Sequence, residues 1–179
     1  MTDCYVLSGC SGGGKSTLIE ALRHRGWSVV PEAGRQIVQS EMASSGQALP
    51  WDNPIKFTEL AAQLSAKQIE EAIIASKADV IITDRSIVDL ISYLVGLDLY
   101  VPQAMTDMLH AQSYARTVFI TPPWPEIFES DVERPKDLVQ AVQEYEVLRA
   151  EYLNLGYDLI DIPKVSVLER AKFIEEYFK

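Results

Sequence analysis

The sequence predicts an α/β protein, a three-layer sandwich in which helices cover both faces of a five-stranded, parallel sheet. Three observations predict it. Five short apolar runs, at residues 4–7, 27–30, 80–82, 117–121 and 157–162, have strand length, and Val80-Ile81-Ile82 lacks any polar alternation, as a strand covered on both faces does. Between successive runs lies at least one segment with apolar residues at helical spacing, and strands that alternate with helices favour parallel pairing. Each of the first four runs then gives way to glycines, prolines or charged residues, which an open parallel sheet gathers along the edge where ligands bind.

Taken in order, the first run leads through Ser8-Gly9 into a glycine-rich stretch, and Leu18, Ile19, Ala21 and Leu22 mark the apolar face of a helix that starts near Lys15. Arg23-His24-Arg25-Gly26 ends that helix, with cations at the negative end of its dipole and glycine at the C-cap. The second run stops at Pro31-Glu32, and residues 33–42 read as a helix closing into a loop over 44–47. Turn chemistry fills 47–54, where Trp51 is expected to plug the local core in preference to walling a ligand. Phe57, Leu60, Ala61, Leu64, Ile69, Ile73 and Ile74 then recur at helical spacing along a crossover helix over 55–76. After the third run come helices over 87–95 and 102–113, then the fourth run, halted by Pro122-Pro123. Residues 123–137 read as a small lid segment held between prolines. A charged helix over 136–155 carries Leu138, Val142, Tyr145, Leu148 and Tyr152 on one side, and Ser166 caps a last helix running through Phe178.

The most informative stretch is Gly9-Cys10-Ser11-Gly12-Gly13-Gly14-Lys15-Ser16-Thr17, which fits the pattern G-x-x-x-x-G-K-[ST] between a strand and a helix. Gly9, Gly12, Gly13 and Gly14 lack Cβ atoms, so with Ser11 they let backbone N–H groups wrap a polyphosphate closely. The helix behind them points its N-terminal donors at the same phosphates. Lys15 is placed to charge-pair with β- and γ-phosphates, the Ser16 hydroxyl to hold Mg²⁺, and Thr17 to contact an α-phosphate or cap locally.

Other strand exits should share that cleft. Asp84 follows Val80-Ile81-Ile82-Thr83 as a Walker B acid would, a second ligand for Mg²⁺, although many plain strands also end in Asp. Glu32 is the candidate general base, with capping of the following helix as the competing reading. Arg85 reads either as a phosphate clamp or as a surface ion-pair partner. Arg35, Arg85, Asp89 and Tyr93 are the candidates for the substrate side, the last two lying one helical turn apart. Arg134, with Asp131 and Glu133 to orient it, is either a closing arginine that stabilises charge on a transferring phosphoryl group or part of a static charged loop.

Composition narrows the class. The 179 residues, 47% hydrophobic, suit one domain over 1–179. A net charge of -10 with no Lys/Arg run argues against a nucleic-acid partner, and no apolar run reaches membrane-spanning length. Cys4 and Cys10 fit neither a disulfide framework nor a zinc pattern, and no basic, apolar leader precedes the first run, so a cytoplasmic setting is expected. The sequence carries no signature of an oligomeric state.

Together the glycine loop, Val-Pro-Glu-Ala-Gly-Arg (30–35), Leu-Pro-Trp (49–51), Thr-Asp-Arg-Ser (83–86) with Asp89 and Tyr93, Asp-Val-Glu-Arg (131–134) and Gly-Tyr (156–157) resemble the AAA-like P-loop ATPase domain family related to nicotinamide riboside kinase domains. The resemblance covers almost the whole chain and implies the strand order 2-3-1-4-5, ATP and Mg²⁺ as cofactors, and transfer of the γ-phosphate to a small hydroxyl compound. Two functions stay open: a small-molecule kinase acting on a nucleoside-like or other metabolite, and a regulatory NTPase module whose only phosphoryl acceptor is water. A Ras-type GTPase is disfavoured, since the fourth run exits into Thr121-Pro122-Pro123-Trp124 and not into a guanine-reading Asn/Thr-Lys-x-Asp segment.

Overall fold

A computed structural model describes residues 2–128 and 137–179. In chain order the elements are β1 (Asp3–Gly9), α1 (Lys15–His24), β2 (Val29–Val30), α2 (Ala33–Ser44), α3 (Pro54–Ala75), β3 (Val80–Asp84), α4 (Ile87–Gly96), α5 (Gln103–Ala111), β4 (Tyr114–Thr121), a 3₁₀ turn (Pro125–Ile127), α6 (Leu138–Asn154), β5 (Asp158–Asp161) and α7 (Val167–Tyr177). The strands form one sheet in the order β2-β3-β1-β4-β5, every pairing parallel, which is the expected fold and strand order.

Which helix covers which face follows from the direction of each crossover. The β1 to β2 connection runs toward the β2 edge, and every later connection runs the other way. Since parallel crossovers are right-handed, α1 lies on one face and α3 to α6 on the opposite one. The alternation along the strands agrees. Leu7, Ile82 and Phe119 pack with Leu18, Leu22 and, from α7, Ala171 and Ile174, whereas Val6, Val118 and Ile120 pack with Ile87, Leu94, Met105, Leu148 and Tyr152. Helix starts are fixed by side chains: Ser86 with Asp89, Asp137 with Gln140 and Ser166 with Glu169 each form a capping box, and Asn53 accepts from the Lys56 N–H.

Several expectations shift. The second strand pairs only at Val29–Val30, because Trp27 instead lays its ring against Phe178 at 5.2 Å between centroids. The fourth strand begins at Tyr114, three residues early, extending its pairing to Cys4. Trp51 does not plug the core: it is 56% exposed, while its neighbours Ala48 and Leu49 are buried. The turn in which Asp52 and Asn53 donate back to the Leu49 carbonyl turns the indole outward. Of the lid segment, only 123–128 and 137 are described, so Arg134, Asp131 and Glu133 lie outside the described residues. Among the described residues no helix is long and apolar enough to cross a membrane.

Candidate functional site

The glycine loop begins where β1 meets β4. Gly9 has φ +142, and a Cβ there would collide with the Thr121 hydroxyl and lie 2.6 Å from the Thr121 carbonyl, so the loop leaves the sheet at a point only glycine can occupy. Gly14, the N-cap of α1, has no side-chain cap, and the first turn of α1 carries no acidic residue. The leading N–H groups of α1 therefore face the loop without competition, and the helix dipole favours an anion there. Ser16 and Thr17 stand exposed on that first turn.

Lys15 is only 6% exposed, and its Nζ donates to Asp84 Oδ1 with Glu32 Oε2 at 4.0 Å. The register of β1 on β3 explains the meeting, since Leu7 pairs with Asp84 and the loop then folds back over the strand end. On the other side of Glu32 stands Arg85, its Nε 3.4 Å from Glu32 Oε1 and its Nη1 donating to Asp89 Oδ1 at 3.0 Å. The Arg85 backbone is left-handed, φ +71, held there by its N–H on the Leu7 carbonyl and by the Thr83 hydroxyl on its own carbonyl. A non-glycine residue in that region costs roughly 1 kcal/mol. Burial by itself would lower the Arg85 pKa, but the carboxylates of Glu32, Asp89 and Asp84 outweigh it and hold the guanidinium above its ordinary value. Glu32 occupies the N-cap position of α2 but makes no side-chain cap; its carboxylate lies between Lys15 and Arg85 instead.

Two cavities meet at this charge cluster. The larger, about 570 Å³, opens along the glycine loop and takes in Lys15, Ser16, Thr17, Arg35, Trp124 and Arg170. The smaller, about 150 Å³, runs beneath Phe57, Leu90, Tyr93, Leu97, Val147 and Leu148, with Asp84 and Asp89 also on its wall. Cys10, Ser11, Glu32 and Arg85 line both. The candidate residues thus divide, Arg35 falling with the loop and Asp89 and Tyr93 with the smaller cavity. The Tyr93 hydroxyl is tied to the Pro50 carbonyl at 2.9 Å.

The donor set fits Mg²⁺. Ser16 supplies a hydroxyl and Asp84 a carboxylate, and a small, hard cation that keeps waters and phosphate oxygens needs no more than one or two protein oxygens. Among the described residues no cluster of three or more His, Cys, Asp or Glu residues could form an all-protein cage.

Three residues escaped the sequence reading. Ser8 and Tyr152 both donate to Asp89, each at 2.6 Å, and with the Ser86 N–H at 3.0 Å they hold the carboxylate that holds Arg85. Burial first, then the Asp89 charge, keeps the Tyr152 phenol well above its ordinary pKa, so it remains a donor. The third is Arg170 of α7, whose guanidinium reaches the carbonyls of Gly13 and Gly14. The available signal was a cation inside the apolar stripe formed by Ala171 and Ile174.

A parallel sheet of this order, with a glycine loop leaving its first strand and the loop's lysine facing an acid at the end of the neighbouring strand, defines a P-loop nucleotide-binding protein. More particularly, the chain belongs to an AAA domain family of the P-loop NTPase type, whose model matches residues 4–170. No curated protein matches the chain.

Proposed function

We propose that this protein is an ATP-dependent small-molecule kinase that transfers the γ-phosphate to a hydroxyl of a nucleoside-like or other small metabolite. The observation that carries this reading is the meeting of two cavities at Glu32 and Arg85. A nucleotide along the loop would present its γ-phosphate at that junction, and an acceptor in the smaller cavity would present its hydroxyl from the opposite side. In-line transfer requires that arrangement.

In this scheme the loop amides and Lys15 hold the β- and γ-phosphates, and Lys15 exchanges its Asp84 partner for phosphate oxygens. Ser16 and Asp84 would hold Mg²⁺, which would supply neutralisation of the charge on the phosphoryl oxygens. The acceptor oxygen bonds to the γ-phosphorus as the bond to the β-bridging oxygen breaks; ADP leaves, and the hydroxyl proton passes to Glu32. Arg85, fixed by Asp89, stabilises the transferring group. Apolar walls with Asp84, Asp89 and Glu144 as the further charged lining suit an acceptor that brings no negative charge of its own. The resemblance to an ATPase domain family related to nicotinamide riboside kinase domains supports the same class. Two buried cysteines that fit no disulfide framework suit a reducing, cytoplasmic setting.

The second reading, a regulatory NTPase with water as acceptor, is favoured by the size of the smaller cavity, since about 150 Å³ is below the several hundred typical of sites that enclose an organic ligand. Incubation with Mg-ATP and a panel of nucleosides and other hydroxyl metabolites, following phosphorylated product and ADP separately, decides between them. The kinase predicts an acceptor that raises both together. ADP release indifferent to every acceptor leaves the NTPase. Glu32→Gln should keep Mg-ATP affinity and lower turnover by about 10²–10⁴-fold; normal turnover in that variant removes Glu32 from the base role.

A further inference from the structure

We infer that Arg170 is a positioning residue for the phosphate cradle: its guanidinium grips two consecutive carbonyls of the glycine loop and thereby aims two consecutive N–H groups at a bound polyphosphate. The inference rests on the nucleotide-binding reading of the loop. Nη2 donates to the Gly13 carbonyl at 3.0 Å and Nη1 to the Gly14 carbonyl at 3.2 Å. In a trans peptide the C=O and the following N–H point in opposite directions. Carbonyls drawn toward α7 therefore turn the N–H groups of Gly14 and Lys15 away from it, to the concave side of the loop. These amides lead into α1, where backbone donors have no intrahelical partner.

The surroundings of the guanidinium suit that task. Arg170 is 3% exposed, lies over the Trp124 ring at 5.7 Å, and among the described residues its buried Nε has no hydrogen-bond partner. Among the described residues no carboxylate pairs with it, and burial lowers its pKa. A buried cation is costly to hold, and an anion on the far side of the two peptides favours it. Contact is close enough that a Cβ on Gly14, itself at φ +71, would come within 2.6 Å of Nη1. The planar fork is what the geometry uses, since a lysine ammonium cannot span two carbonyls in fixed directions.

The alternative is that Arg170 and Trp124 form a platform for the nucleobase and do nothing for the phosphates. Titrating wild type, R170K and R170Q with Mg-ATP and with magnesium tripolyphosphate, which has phosphates and no base, separates the two. Aiming of the amides predicts that both variants lose affinity for both probes by the same factor, about tenfold or more, and that R170K does not recover wild-type affinity. Unchanged tripolyphosphate affinity in the variants overturns the inference, whether or not ATP affinity falls. Should both variants fail to fold, wild type supplies the answer: tripolyphosphate must perturb the Gly14 and Lys15 amides and the Arg170 guanidinium over one titration curve, and a stationary guanidinium overturns the inference. Wild type that binds neither probe defeats the nucleotide reading itself, a result distinct from selective loss in the variants.

Discussion

Both carboxylate oxygens of Asp89 are occupied inside the protein, by Ser8 and Arg85 on one and by Ser86 and Tyr152 on the other. The residue faces the smaller cavity, yet its lone pairs are committed, so its effect on an acceptor would pass through Arg85. Asp89→Ala should destabilise the fold by about 2–4 kcal/mol, because it removes the carboxylate on which the part-buried Arg85 guanidinium, the buried Tyr152 phenol and the buried Ser8 hydroxyl converge. Denaturant unfolding measures this, and a loss under about 0.5 kcal/mol, the level of an ordinary surface substitution, would contradict it. At this scale the sequence was readable where chemistry fixes spacing. Lys15 and Asp84 follow from strand ends and a loop of defined length. Glu32 could be placed at a strand exit, but whether its carboxylate would cap α2 or turn to Lys15 depended on Arg85, whose left-handed backbone no pattern announces.

Among the elements, α1 and α7 are fastened side by side by Arg25 and Glu175, whose two hydrogen bonds measure 2.5 and 2.7 Å. The Arg25 hydrogen bond, opposed by slight desolvation, lowers the Glu175 pKa from 4.5. A carboxyl whose folded pKa is depressed stabilises the fold at pH above its unfolded value, and that contribution is lost as the pH falls through the folded value. Arg25→Gln should therefore lower the thermal midpoint at neutral pH, by a few degrees at most for a half-exposed pair, and the gap to wild type should close below about pH 4. Melting curves between pH 7 and pH 3 test this; a gap that persists in acid points to lost packing of the arginine stem. The helices themselves were legible from periodicity and from Ser166, while their partners were not. Tyr152 reads as one more apolar position on α6, and only the packing of α6 against α4 brings its hydroxyl to Asp89.

For the molecule as a whole, the order β2-β3-β1-β4-β5 places every charged strand exit on one edge, as the alternation of runs and helices implied. What the alternation did not disclose is that the edge holds two cavities with Glu32 and Arg85 between them, since that depends on how far α3, α4 and α6 stand from the sheet. Binding to the native state alone stabilises it by about 2.7 kcal/mol at a ligand concentration of 100 Kd. For a chain of this size, that corresponds to a rise in melting temperature of roughly 5–10 °C. Mg-ATP should produce such a shift in wild type and none in Lys15→Ala, as read by differential scanning fluorimetry. An equal shift in both would place the nucleotide away from the loop.

The hydrogen bonds from Arg170 to Gly13 and Gly14 join positions 157 and 156 residues apart. Synthesis proceeds from the N-terminus, so the glycine loop emerges well before its brace. Closing so long a connection is slow. Full affinity for tripolyphosphate should accordingly appear in the final phase of refolding, together with the docking of α7, and stopped-flow mixing at successive delays would expose any earlier appearance. If Arg170 aims the loop amides, a growing chain gains its full grip on polyphosphate only once the sheet that holds the loop is complete.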